Sequence, residues 1–377
     1  YLLTCYVCST KIGEISDISK CFENFVSQAL GVLTRIYAAE LRLYIIFLVS
    51  LWQKIEAMLL NLGLILIGIV LVLWGADRLT DGAVAVAQKL KVSQLVIGLT
   101  IVAMGTSMPE FSVSMVSALK GTSDLAVGNV VGSNIFNTLL IVGVAALVSP
   151  IVITKTTVRK DIPFALVASV VLMMLCYDGK IERIDAGIMF AMFFIFMAMT
   201  LQSAKIEKNV VQVDTQAIIS ETVSEKKAMA GWLAITWIVV GLSSLIFGSN
   251  IFVEGATKVA SSLGVSDAII GLTIVAGGTS LPELATSVVS ARKGDSGIAI
   301  GNVIGSNIFN ILATLGIAGI IHPMVLEGIT MFDFSAMVTA MILVWFFSFT
   351  KYTIERWEGF VLTLVYVGYM VKLLMNI

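Results

Sequence analysis

The chain has 377 residues, 58% of them hydrophobic and 13% charged, and its mean hydropathy is +0.98. Soluble domains carry about 25% charged residues, so this sequence holds roughly half the charge needed to coat a globular surface, and a soluble enzyme is all but excluded. The 25 acidic and 24 basic residues nearly cancel, which gives no basic excess for nucleic acid. The class that remains is an all-α polytopic membrane protein.

Residues 1–57 stand apart from the rest. They mix charged and apolar residues without the layout of a signal peptide, and their one apolar run, 43–52, is too short to span a bilayer. We expect an N-terminal extension, a mis-set start or an appended sequence ahead of a natural start at Met58. Three of the four cysteines, Cys5, Cys8 and Cys21, lie in this segment, so neither disulfides nor a thiolate metal site organise the main body.

A helix needs about 20 mostly apolar residues to cross the hydrocarbon core. Ten such stretches follow, at 59–77, 93–119, 125–149, 162–177, 184–203, 231–250, 266–291, 298–321, 332–350 and 357–376. The polar segment 204–230 separates five from five and reads as a solvated linker, too short for a folded domain. The expected divisions are therefore 58–203, the linker 204–230, and 231–377. Alternate loops carry about 14 Lys/Arg residues on one side and about five on the other. The richer side should be cytoplasmic. That places the linker in the cytoplasm of a plasma or bacterial inner membrane, with both ends of the core outside.

The strongest internal signal is a repeat. Residues 92–143 align without gaps on 265–316 at an offset of 173, with 33 identities in 52 positions. Weaker similarity upstream matches Gly68, Gly75, Gly82, Ala83 and Ala87 with Gly241, Gly248, Gly255, Ala256 and Ala260. Five spans separate each element from its copy, and an odd number reverses direction across the membrane. The expected architecture is two inverted five-helix repeats, which in transporters place the substrate site near the midplane.

Each copy holds a proline and a glutamate in mid-span: Gly105-Thr106-Ser107-Met108-Pro109-Glu110 and Gly278-Thr279-Ser280-Leu281-Pro282-Glu283. Proline removes a backbone donor and clashes with the carbonyl four residues back, so helices 2 and 7 should break and free carbonyls near Gly105 and Gly278. A glutamate at that depth is costly unless paired, and its duplication favours a cation site over two kinked helices. The next span carries Gly128-Asn129-Val130-Val131-Gly132-Ser133-Asn134-Ile135-Phe136-Asn137, copied as Gly301-Asn302-Val303-Ile304-Gly305-Ser306-Asn307-Ile308-Phe309-Asn310. The four glycines read as packing residues. Asn137 and Asn310 are expected to face the ion, with Asn129, Asn134, Asn302 and Asn307 structural or lining a pathway.

All these donors are hard oxygens, which suit Na+ or Ca2+. Softer metals would want His or Cys ligands, and the core offers only His322 and Cys176. Two glutamates match the charge of one Ca2+ or two monovalent ions, as an antiporter requires.

The paired G-T-S-x-P-E and G-N-x-x-G-S-N-x-x-N segments resemble the two alpha repeats of the sodium/calcium exchanger family, within the cation/Ca2+ antiporter superfamily, and especially its compact prokaryotic members. The resemblance implies Na+/Ca2+ countertransport by alternating access, with the first and sixth helices sliding across a more static bundle. It implies that Glu110 and Glu283 are the central Ca2+ ligands, helped by the Thr106 and Thr279 carbonyls. It also implies that Ser107, Ser133, Ser280, Ser306, Asn137 and Asn310, with the carbonyls of Ala103 and Ala276, line flanking Na+ positions. Some relatives, including potassium-dependent ones, carry Asp where this chain has Asn310, so stoichiometry and a K+ requirement stay open. No resident cofactor and no enzyme activity are expected, and a monomer should suffice. H+ coupling in the same fold, or a cation channel, remain alternatives. The repeat-equivalent Asp81 and Glu254 read as interfacial charges.

Overall fold

A computed structural model of the protein describes residues 15–217, 229–265, 274 and 276–375. The expectations for Cys5, Cys8 and the centre of the linker fall outside them. Two compact units divide at Leu60/Asn61, Tyr1–Leu60 and Asn61–Ile377.

Helix α1 (Ile15–Leu90) carries the first expected span but begins far upstream of residue 59. With no proline before Pro109, nothing in the chain stops the helix from running on. The second span is α2 (Gln94–Thr106) and α3 (Met108–Leu119), bent by 48°. Ser107 is the break, with φ −84° and ψ 10°, and Pro109 lies in the first turn of α3. There proline removes no helical bond and its fixed φ suits the start. Gly121, at φ +74°, follows α3 in a left-handed conformation that favours glycine, and so does its repeat equivalent Gly294, at φ +83°, after the helix Leu281–Lys293.

The remaining helices are α4 (Ser123–Val148), α5 (Ile162–Leu175), α6 (Arg183–Ala217), α7 (Gly231–Ser262), the single turn α8 (Ala276–Thr279), α9 (Leu281–Lys293), α10 (Ser296–Ile321), α11 (Met331–Ser348) and α12 (Arg356–Met375). Helix α6 runs well into the segment read as linker. Among the described residues, six helices are long and apolar enough to cross a membrane, or seven if the bent pair is one span. The seventh expected span, 266–291, lies partly outside the described residues.

Glycines bring α1 and α7 into backbone contact. A Cβ on Gly68 would lie 2.8 Å from the Gly248 carbonyl oxygen, on Gly75 2.8 Å from that of Gly241, on Gly82 2.7 Å from that of Ala234, and on Gly255 2.8 Å from that of Asn61. As numbers rise along α1 they fall along α7, so the helices run antiparallel. The small residues recur every seventh position, two helical turns apart, and let the backbones touch as small residues do in membrane interfaces.

The two halves interlock through contacts that recur when they are exchanged. Gly143 near the end of α4 abuts Gly359 and Thr363 of α12, and Gly316 near the end of α10 abuts Ala186 and Phe190 of α6. Each number in the second set is that of its repeat equivalent.

Short contacts join the connecting segments. Strands β1 (Ile151–Val152) and β4 (Thr353–Ile354) pair antiparallel, as do β2 (Lys180–Ile181) and β3 (Met324–Val325). The Gln94 amide donates to Asp295 at 2.8 Å, and Asp124 accepts the backbone N–H groups of Glu327 at 3.0 Å and Gly328 at 2.9 Å. Every joined pair falls on one side of the Lys/Arg partition read from the sequence.

Candidate ion-binding site

The two breaks face each other through their side chains. Ser107 donates to Glu283 Oε1 at 2.7 Å, and Ser280 donates to Glu110 Oε1 at 2.8 Å. Both glutamates and both serines are fully buried. The serine at each break thus reaches across to the other half. The Gly278 carbonyl, one of those expected to be freed, accepts a hydrogen bond from Ser249 of α7.

Each glutamate is seated by an asparagine of the following helix. Asn129 donates to the Glu110 carbonyl at 3.1 Å and to Ser114 Oγ at 2.9 Å. Asn302 donates to the Glu283 carbonyl at 3.2 Å and to Ser287 Oγ at 3.0 Å. Asn302 also accepts from Thr106 Oγ1 at 3.0 Å.

Asn137 and Asn310 lie in equivalent π-helical turns, Phe136–Ile141 and Phe309–Thr314, a local widening frequent at functional sites. Asn137 donates to Asn307 Oδ1 at 3.2 Å, and Asn310 donates to Ser133 Oγ at 3.3 Å. Ser306 donates to the Ala103 carbonyl at 3.4 Å, and Thr106 reaches the same oxygen at 3.4 Å. Thr279 closes the turn α8, which Ala276 opens. The neighbours of Ala276, residues 266–273 and 275, lie outside the described residues.

Among the described residues, the buried side-chain oxygens without a hydrogen-bond partner include Oε2 of Glu110, Oε2 of Glu283, Oδ1 of Asn137 and Oδ1 of Asn310. Leaving one buried polar group unpaired costs about 1–3 kcal/mol, more for a charged one. These acceptors lie on two repeat-paired residue types, and a cation could satisfy oxygens that no hydrogen-bond donor of the described residues reaches. Gly98, Gly301 and Gly305 bring α2 and α10 into close backbone contact: a Cβ on Gly301 would lie 2.8 Å from the Leu95 carbonyl oxygen, and one on Gly305 2.6 Å from that of Leu99. This close approach is the packing role expected of Gly301 and Gly305. At Gly132 nothing described lies within 4 Å.

A family model for sodium/calcium exchanger proteins matches residues 60–202 and again 233–375. The chain belongs to the sodium/calcium exchanger family. Among the proteins this family member is similar to is the sodium/calcium exchanger MaX1 of Methanosarcina acetivorans, 34% identical over 343 residues, covering 83% of this chain and 98% of MaX1. Inner membrane protein YrbG of Escherichia coli is 38% identical over 269 residues, covering 71% of this chain and 81% of YrbG. A solved structure of the sodium–calcium exchanger NCX_Mj, soaked with 2.5 mM Na+ and 0.1 mM Ca2+, superposes with a TM-score of 0.71 at 29% identity, covering 83% of this chain and 98% of that one. The family resemblance read from the repeats is thereby shown. This family member is a multi-pass integral membrane protein and a cation/Ca2+ antiporter.

Sequence reasoning left several buried polar residues of these helices in the background. It gave Asn129 and Asn302 no defined partner, yet each holds a glutamate backbone. It passed over Thr138, which accepts from Asn307 at 2.7 Å, and over Thr286 and Thr314, whose buried hydroxyls lack partners. One signal could have found the three threonines. The repeat equivalents of Thr138, Thr286 and Thr314 are Ile311, Val113 and Ile141, so each is a hydroxyl where the copy is aliphatic.

Proposed function

We propose that the protein exchanges Ca2+ for Na+ by alternating access at a site formed jointly by the two repeats. The observation that carries this reading is the set of four buried, donorless oxygens on Glu110, Glu283, Asn137 and Asn310. One Ca2+, or two Na+, balances the two carboxylates, and flexible oxygen coordination suits both ions. Glu110 and Glu283 are the central ligands. Ser107, Ser280, Ser133 and Ser306, with the carbonyls of Ala103, Ala276, Thr106 and Thr279, complete the flanking positions. The sodium in the names of MaX1 and NCX_Mj favours Na+ as the coupling ion.

The reading uses ten crossings in two inverted halves. The exchange-symmetric contacts of Gly143 and Gly316 support this arrangement. So do the joined loops, each pair of which falls on one side of a ten-span alternation. The side richer in Lys/Arg, including Lys155, Arg159, Lys293 and Arg356, is cytoplasmic. Because one chain supplies every ligand, the monomer is the working unit.

Proteoliposomes loaded with Ca2+ test the coupling. Efflux driven by external Na+ is expected. Efflux driven by an imposed pH gradient but not by Na+ would replace Na+ with H+, and flux that needs no counter-ion would make the protein a channel.

A further inference from the structure

The repeat places asparagine at both 137 and 310, yet their surroundings differ. Asn137 donates to Asn307 Oδ1 at 3.2 Å, and Asn307 donates in turn to Thr138 Oγ1 at 2.7 Å. This fixed chain crosses between the two halves, and all three residues are buried. Exchange of the halves would require Asn310 to donate to Asn134 and Asn134 to residue 311. Residue 311 is isoleucine, which offers no acceptor. Asn134 instead folds back on its own helix and donates to the Val130 carbonyl at 2.7 Å, and its Oδ1 has no partner. Asn310 then takes Ser133 Oγ at 3.3 Å. Ser133 itself donates to the Val130 carbonyl at 3.0 Å, so in binding Asn310 it uses an oxygen that would otherwise be available to an ion.

We propose that Thr138 and Asn307 are positioning residues that fix the carboxamide oxygen of Asn137 as a preorganised cation ligand, and that Ile311 leaves Asn310 as the looser one. The chain thereby makes two copies of one motif unequal without changing a ligand, and Na+ binding draws more on Asn137 than on Asn310. This inference rests on the ion site proposed above.

The test is the Na+ concentration that half-maximally stabilises the purified full-length protein against heat, with Ca2+ titrated in parallel and Ca2+ exchange measured in proteoliposomes. Thr138→Val removes the acceptor at nearly constant volume. It should raise the half-maximal Na+ concentration about fivefold, the value of one uncharged hydrogen bond, with little change in the Ca2+ response. Thr138→Ser keeps the hydroxyl and should restore the original value. Ile311→Thr supplies the absent acceptor and should lower it. An unchanged Na+ response in Thr138→Val, or equal shifts in the Val and Ser variants, would overturn the inference alone. Should Thr138→Val not fold, an unchanged Ile311→Thr overturns it. Absence of any Na+ or Ca2+ response in the unmodified chain would overturn the proposed function and this inference with it.

Discussion

The Ser107 hydroxyl lies 2.7 Å from Oε1 of Glu283, a residue of the other repeat. The reciprocal bond, Ser280 to Glu110, has nearly the same length, 2.8 Å. Each glutamate is thus oriented by the helix break of the opposite half while its second oxygen accepts nothing. Glu110→Gln and Glu283→Gln keep an oxygen for the serine and remove the charge. Both should abolish Ca2+ exchange in proteoliposomes while the protein elutes as a single species with near-native melting behaviour. Full exchange by both variants would refute the assignment.

Asn302 donates two buried hydrogen bonds and accepts a third from Thr106. Asn302→Leu deletes all three and strands their partners, at about 1–3 kcal/mol for each group left unpaired. Its melting temperature in detergent should fall well below that of Ser112→Ala, which touches only an exposed hydroxyl bonded within its own helix. Equal melting of the two would show that Asn302 does not hold the Glu283 backbone.

Alanine at Gly75 separates helix propensity from packing. Alanine in place of a helical glycine gains about 1 kcal/mol, whereas overpacking costs typically about 1–3 kcal/mol. At Gly63, where an added Cβ meets nothing within 4 Å, propensity wins and Gly63→Ala should be neutral or stabilising. At Gly75 the added Cβ meets the Gly241 carbonyl oxygen at 2.8 Å. Gly75→Ala should lower the melting temperature, and Gly75→Leu should prevent recovery of monodisperse protein.

Lys293, at the end of α9, bridges Asp77 at 2.7 Å and Asp81 at 2.8 Å on α1. All three side chains are partly exposed, and such pairs contribute roughly 0–1 kcal/mol each. Lys293→Met should cost at most about 2 kcal/mol for the two together. The difference from the unmodified protein should shrink as salt rises from low to physiological ionic strength, read by melting at several salt concentrations.

Legibility in the sequence followed the kind of signal. The helix breaks at Ser107 and Ser280 were readable because proline acts locally and the repeat marks both copies. That Glu110 and Glu283 are buried and held by partners could be inferred from duplication within an apolar core, where a charged group needs a reason to be present. The π-helical turns around Asn137 and Asn310 were not readable, because they depend on packing against other helices. Nor was the partner of each glycine on α1. A recurrence of seven marks one helix face, but only the antiparallel approach of α7 identifies what the face meets. The extension of α6 to Ala217 ran against the polar composition of 204–217, since composition marks solvation more directly than backbone conformation. Asp81, read as an interfacial charge, is tied to Lys293, a contact no sequence pattern announced, while Glu254 pairs within its own helix with Lys258 at 2.6 Å.

The glycine ladder between α1 and α7 limits how those helices can move. Its rungs lie seven residues apart, about 10.5 Å along the axis at 1.5 Å per residue. Any smaller slip of one helix along the other sets a side chain against a backbone that has room only for hydrogen. The ladder therefore works as a detent, and displacement relative to the remaining helices must carry α1 and α7 together as one strut.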